Sequence, residues 1–212
     1  MKKAIFFDVA NTLLHKPSLF SNIHDVLRDH GIEMDTGRLQ DRHKILSECT
    51  KFPDKTHRKF YDKFNSELLR ALGILPTRSL LDGIFERCSY LPWRAFDDTA
   101  VLSEIRLPVG IISNWDSTLS EKLKTLLPYE FKWIIGSKVE GKRKPDPGFF
   151  RKIVAYTGYS PSDIIIVGDS VKLDIEPANK IGMQAILIDR TGFYESGNVP
   201  RITSLTEILD YL

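Results

Sequence analysis

A doubly wound α/β fold, with a parallel sheet covered by helices on both faces, is predicted by three observations. Short, wholly apolar runs recur along the chain, helix-length patterns separate the later ones, and several runs end in a polar or acidic residue. Parallel strands are buried on both faces, so they read as unbroken apolar stretches. Their alternation with helical patterns is the mark of β-α-β crossovers. Ala4 to Phe7, Val109 to Ile112, Ile164 to Val167 and Ala185 to Ile188 qualify as buried strands, with Phe131 to Ile135 a fifth. Asp97 to Ile105, Ser117 to Leu127, Pro147 to Tyr156 and Leu173 to Ile181 have the length and spacing of crossover helices. Gly182 stops the last of these ahead of the next strand.

The segment from Lys16 to Leu91 has helical periodicity and no strand pattern. Ile23, Val26 and Leu27 form one stripe, Phe60, Phe64 and Leu68 a second, and Leu80, Leu81, Ile84 and Phe85 a third. The Lys, Arg and His residues between Asp54 and Leu72 read as a solvated outer face. The expected organisation is therefore a sheet-bearing core, residues 1–15 and 92–212, interrupted by a helical insertion, residues 16–91. Internal repeats and low-complexity tracts are absent from the sequence.

Composition narrows the partners. The 212 residues are 42% hydrophobic, enough for a substantial core. Charged residues make up 27% and nearly cancel, to a formal net charge of +2, so no general attraction to nucleic acid or anionic lipid is expected and the partner is small. Cys49 and Cys88 match neither a disulfide framework nor a metal-binding spacing, which points to reduced thiols and a cytoplasmic protein. Asp8 ends the first apolar stretch too early for a signal peptide or membrane span.

Ligands of parallel α/β sheets gather beyond the carboxyl ends of the strands, so polar residues there carry the information. The first strand ends in Asp8, the second in Ser113-Asn114-Trp115-Asp116, and the one near the C-terminus in Gly168-Asp169-Ser170, with Asp174 five positions after Asp169. Gly141-Lys142-Arg143-Lys144-Pro145-Asp146-Pro147 is a basic turn whose prolines fix the backbone ahead of a helix. Asp8, Asp169 and Asp174 would repel one another without a cation, and oxygen ligands favour a hard ion such as Mg²⁺. Lys144 as a point charge and Ser113 and Asn114 as hydrogen-bonding groups would face an anionic substrate. A phosphoryl-transfer site is the expectation, with Asp8 attacking phosphorus.

This set resembles the haloacid dehalogenase superfamily over nearly the whole chain. Asp8 to Leu13 looks like the family's first motif, Ser113 its second, Lys144 its third, and Gly168-Asp169 with Asp174 its fourth. The resemblance implies a Rossmann-like core, a mobile helical C1 cap in the place of the insertion, Asp8 as nucleophile, and magnesium held by Asp8, Asp169, Asp174 and the backbone carbonyl of Ala10. The Ser113-Asn114-Trp115-Asp116 and Lys144-Pro145-Asp146-Pro147 stretches look most like the capped phosphatase branch, which acts on small phosphorylated metabolites.

In that branch the residue aligned with Ala10 is usually an aspartate serving as general acid and base. A backbone carbonyl survives this replacement, whereas a carboxyl proton donor does not. His15, Asp116 or a cap residue are the substitutes the sequence offers. Three other outcomes stay open: a phosphometabolite-binding regulator with little turnover, a phosphonoacetaldehyde hydrolase with Lys51 or Lys55 forming a Schiff base, and a dehalogenase.

Overall fold

The computed structural model describes residues 1–195 and 197–212, which form two compact units, Met1–His15 with Arg94–Leu212 and Lys16–Trp93. The strands among the described residues are β1 (Ala4–Phe7), β2 (Leu14–His15), β3 (Arg94–Ala95), β4 (Val109–Ser113), β5 (Trp133–Gly136), β6 (Ile164–Gly168), β7 (Gln184–Ile188) and β8 (Arg201–Ile202). β2 and β3 pair antiparallel as a small ladder. The other six form one parallel sheet in the order β5-β4-β1-β6-β7-β8. Strand order reverses around β1, so the carboxyl ends of β4, β1 and β6 lie side by side at a topological switch point.

All residues of β1, β4 and β6 are buried, which is why each reads as an apolar run. Phe6 of β1 pairs in register with Gly110 of β4, and a Cβ at Gly110 would collide with the Phe6 ring. The glycine thus admits an aromatic ring that also stacks on Trp133, centroids 5.4 Å apart. On the covering layers, α5 (Leu119–Leu126), α6 (Ser137–Glu140), α7 (Pro147–Thr157) and α8 (Glu176–Lys180) alternate with the later strands. α7 is bounded as its sequence dictates. Asp146 caps it by accepting from the Gly148 N–H at 2.7 Å, Pro147 opens it, and Gly158 closes it at φ 69°.

Two expected helices take other forms. Asp97–Ser103 is a 3₁₀ helix, in which the Thr99 and Ser103 hydroxyls donate to the Phe96 and Ala100 carbonyls and so compete for acceptors an α-helix would use. The expected Leu173–Ile181 helix is a π-helical turn, Val171–Ile175, followed by α8. Pro177 near the start of α8 lacks the N–H that would continue the ladder backwards. The strand expected from Phe131 begins instead at Trp133.

The second unit holds α1 (Leu19–Asp29), α2 (Thr36–Cys49), α3 (Arg58–Ala71) and α4 (Arg78–Cys88). Its core joins Ile23, Val26 and Leu27 with Leu39, Leu68, Leu69, Leu80 and Ile84. Asp35 and Thr77 cap α2 and α4 through the Arg38 and Leu80 N–H groups. The charged Asp54–Leu72 stretch does face solvent in part: Arg58 pairs with Asp62 at 2.9 Å and also with Asp82. No helix of the described residues is long and apolar enough to cross a membrane.

His43 of α2 lies edge-on to Phe20 and Phe64, each 5.2 Å away. Burial, aided by the Lys44 charge, lowers its pKa from 6.5 to about 4. The unfolded chain therefore takes up this proton first. Stability from the neutral ring is complete above about pH 6.5 and is lost as pH falls towards about 4. Between about pH 7.5 and about pH 4.5, urea denaturation should show the protein losing about 2 to 3 kcal/mol more than His43→Leu does. Equal losses would place the ring in water.

Candidate active site

The sheet brings five polar side chains to one edge. Asp8 follows β1, its N–H extending the ladder to the Val167 carbonyl at 2.9 Å, and its side chain is turned inward, the residue being 8% exposed. Ser113, the last residue of β4, donates its hydroxyl to Asp8 Oδ1 at 3.2 Å. Lys144, 3% exposed, reaches in from the turn between α6 and α7 and donates Nζ to Asp8 Oδ1 at 2.6 Å and to Asp174 Oδ1 at 2.5 Å. Asp174, 1% exposed, rides on the π-helical turn after β6, where Ser170 N–H donates to its Oδ2 at 3.2 Å. Gly168 makes that approach possible, since a Cβ there would overlap the Asp174 carboxyl. Asp169 is half-buried beside them.

The electrostatics follow from this crowding. Burial raises the Asp8 pKa and the neighbouring Asp169 charge adds to it, against the pull of Lys144. Asp174 is pushed up to about 7 by burial and by the charges of Asp8 and Asp169, again against Lys144. Burial works against the Lys144 charge, but Asp174 and Asp8 more than offset it and hold its pKa above the ordinary lysine value. Ionised, three carboxylates and one ammonium leave a formal charge of −2, which one divalent cation neutralises.

Oxygens of Asp8, Asp169 and Asp174 all lie within 4.8 Å of one another, the acidic group among the described residues with metal-ligand spacing. Around Mg²⁺, with bonds near 2.1 Å, neighbouring oxygens are about 3 Å apart and opposite ones about 4.2 Å. The three carboxylates are near enough to share one ion after side-chain adjustment, and all three donors are hard oxygens, so the residues fit the ion.

The other residues singled out from the sequence fall in different places. Ala10 sits half-buried in the tight loop between Asp8 and β2, in a β-bridge with Leu14. Asn114 turns its amide onto the backbone of Lys144. Asp116 accepts from the Thr118 N–H at 2.9 Å and hydroxyl at 2.6 Å, a turn-capping arrangement at the start of α5. His15, in β2, stacks on Phe96 with centroids 4.0 Å apart, and burial together with Arg190 lowers its pKa. Lys51 and Lys55 are exposed in the helical unit.

Two contributors escaped the sequence reading. Ser137 donates to the Trp115 carbonyl and accepts from its N–H, at 3.3 and 3.1 Å. Arg190, just after β7, forks onto Asp98 at 2.7 and 3.0 Å, donates to the Thr12 carbonyl at 2.8 Å, and lies 3.7 Å over the Phe96 ring. It thereby pins the loop that carries Ala10. Neither residue belongs to a local pattern, because both act through long-range contacts to backbone.

A parallel α/β sheet with an acid–lysine cluster at its switch point places the candidate site where Rossmann-like folds bind their ligands. A model of the haloacid dehalogenase-like hydrolases matches residues 2–182, and the chain belongs to that family. It is 27% identical over 208 residues to the glyceraldehyde 3-phosphate phosphatase of Methanopyrus kandleri, covering 92% of this chain and 87% of that one. With the phosphoserine phosphatase of Thermus thermophilus it shares 29% identity over 62% of this chain and 55% of the relative. With flavin mononucleotide hydrolase 1 of Arabidopsis thaliana the figures are 32% over 52% and 41%. Among solved structures, the magnesium-bound HAD hydrolase YfnB of Bacillus subtilis matches with a TM-score of 0.67 at 20% identity, covering 100% of this chain and 98% of that one. A 2-haloacid dehalogenase of Pseudomonas syringae matches at 0.59 and 22%, over 99% and 97%. Both show the fold.

Gly168→Ala should drive the Asp174 carboxyl off the Ser170 N–H. The expected result is a loss of about 1 to 3 kcal/mol in urea denaturation, with weaker Mg²⁺ binding by titration calorimetry. Wild-type stability in this variant would contradict the close approach.

Proposed function

We propose that the protein is a Mg²⁺-dependent phosphatase of small phosphorylated metabolites, working through an aspartyl phosphate on Asp8. The observation that carries this reading is the meeting of Ser113 and Lys144 on one oxygen of Asp8, with Asp169 and Asp174 alongside. Phosphatase relatives acting, by name, on glyceraldehyde 3-phosphate, phosphoserine and flavin mononucleotide support the substrate class. The assignment of the Lys16–Trp93 unit as the cap belongs to the same proposal.

Asp8, Asp169, Asp174 and the Ala10 carbonyl would hold Mg²⁺, which supplies neutralisation of phosphate charge and of the acid cluster. Asp8 attacks phosphorus; a P–O bond forms to its carboxylate as the bond to the leaving oxygen breaks. Lys144 and Ser113 hold the transferring phosphoryl oxygens, the first by charge and the second by its hydroxyl. Water then attacks phosphorus, releasing inorganic phosphate and restoring the carboxylate. With alanine at position 10, the leaving oxygen takes its proton from water or leaves as a stable anion. General acid catalysis typically contributes roughly 10²- to 10⁴-fold, so alkyl phosphates should turn over slowly and aryl or acyl phosphates less so.

Ala10 also favours a second reading, a phosphometabolite binder of low turnover. The Schiff-base alternative has less support, since Lys51 and Lys55 are exposed and imine-forming lysines are desolvated or beside another cation.

A panel of phosphate esters assayed with Mg²⁺ should give turnover that EDTA removes and that Asp8→Asn lowers by at least about 10³-fold. Turnover indifferent to either treatment would sink the mechanism. Ala10→Asp should raise kcat for alkyl phosphates by about 10²-fold or more while changing p-nitrophenyl phosphate much less. Tight binding without turnover in both proteins would favour the binder.

A further inference from the structure

The side-chain amide of Asn114 makes two hydrogen bonds to a single residue. Its Oδ1 accepts from the Lys144 N–H at 2.8 Å, and its Nδ2 donates to the Lys144 carbonyl at 3.2 Å. This reciprocal arrangement fixes the amide orientation, because reversing it would set donor against donor and acceptor against acceptor. One N–H and one lone pair of the amide are left for anything else. The same joining recurs between Ser137 and Trp115, where one hydroxyl serves both the N–H and the carbonyl of a residue across the gap. Strands β4 and β5 pair as far as Ser113 with Gly136. Beyond that register one backbone bond, Lys138 N–H to the Trp115 carbonyl at 3.2 Å, is joined by side chains bonded to backbone, which tie the loop after β4 to the segment carrying Lys144.

This coupling matters because Lys144 has no other strand or regular helix to set its position. It lies in the turn between α6 and α7, yet its ammonium has to meet two carboxylates at once. Ser113 immediately precedes Asn114, so a single short stretch delivers a hydroxyl to Asp8 and, through the next residue, the backbone from which Lys144 reaches Asp8.

We infer that Asn114 is a positioning residue for Lys144, acting on the lysine's backbone rather than on the substrate. The inference deepens the phosphatase reading, and its kinetic test rests on that reading. Loss of the amide lets the turn drift, and a misplacement of about 1 Å can lower activity about 10²-fold.

The test is a double-mutant cycle of Asn114→Ala and Lys144→Gln, read in kcat/KM for p-nitrophenyl phosphate with Mg²⁺ and in affinity for tungstate as a phosphate mimic. In the wild-type background Asn114→Ala should lower kcat/KM about 10- to 100-fold and weaken tungstate binding. In the Lys144→Gln background the same change should alter either quantity by less than about twofold, because the group it positions is gone. Lys144→Met takes the place of Lys144→Gln if the latter does not fold, and the same loss of effect is expected because the charge is again removed.

An equal factor in both backgrounds would mean that Asn114 meets the ligand itself and would overturn the inference, as would wild-type kinetics and affinity in Asn114→Ala. If Asp8→Asn leaves turnover unchanged, the phosphatase reading fails, while the cycle in tungstate affinity still decides the role of Asn114. A wild-type protein that binds no tungstate overturns both.

Discussion

The ammonium of Lys144 lies between Asp8 and Asp174, hydrogen-bonded to both and almost wholly buried. Three acids gathered at neighbouring strand ends would otherwise repel one another in a medium that screens poorly. Breaking a buried ion pair from one side typically costs about 3 to 5 kcal/mol, because the remaining charge is left uncompensated. The surroundings are built around this contact. Gly168 removes a side chain so that Asp174 can approach, the π-helical turn lifts Asp174 to the right height, and Asn114 grips the lysine's backbone. Arg190 performs a comparable service on the opposite side, holding the Thr12 carbonyl and hence the loop that follows Asp8.

How far this could be read from the sequence depended on the length scale of each signal. β1, β4, β6 and β7 are four or five residues long and almost entirely buried, so their apolar runs identified the sheet. Asp8, Ser113, Asp169 and Asp174 stood out because they end or follow such runs, and Lys144 because it lies in a basic, proline-bounded turn ahead of a helix. The two-residue strands β2, β3 and β8 are too short for any period to register. α2 buries only Leu39 deeply, so it lacked the stripe that marked α1, α3 and α4. The direction of the Asn114 amide was illegible for a different reason: its partner is the backbone of a residue thirty positions away, and every residue except proline has the same backbone groups.

Ala10 remains the most consequential departure from the pattern of the first motif. Around it the loop is tightly specified, with the Leu13 and Leu14 N–H groups both donating to the Val9 carbonyl, at 2.9 and 2.8 Å, and Asn11 N–H donating to Leu14. Asn11 adopts φ 60°, a conformation that asparagine tolerates better than most residues. The backbone therefore keeps a defined course through a position whose side chain is only a methyl group.

The central place of β1 has a consequence for how the chain reaches its fold. Ile5 pairs with Val109 on one side and Ile165 on the other, so the neighbours of β1 lie roughly 100 and 160 residues downstream. A ribosome delivers β1 first and its partners much later. During synthesis, Ala4-Ile5-Phe6-Phe7 is an apolar segment with no sheet to join, while the helical insertion, a compact unit over residues 16–93, can consolidate ahead of it. The strand at the centre of the candidate site is thus the one that waits longest for its neighbours, an apolar segment exposed to association in that interval.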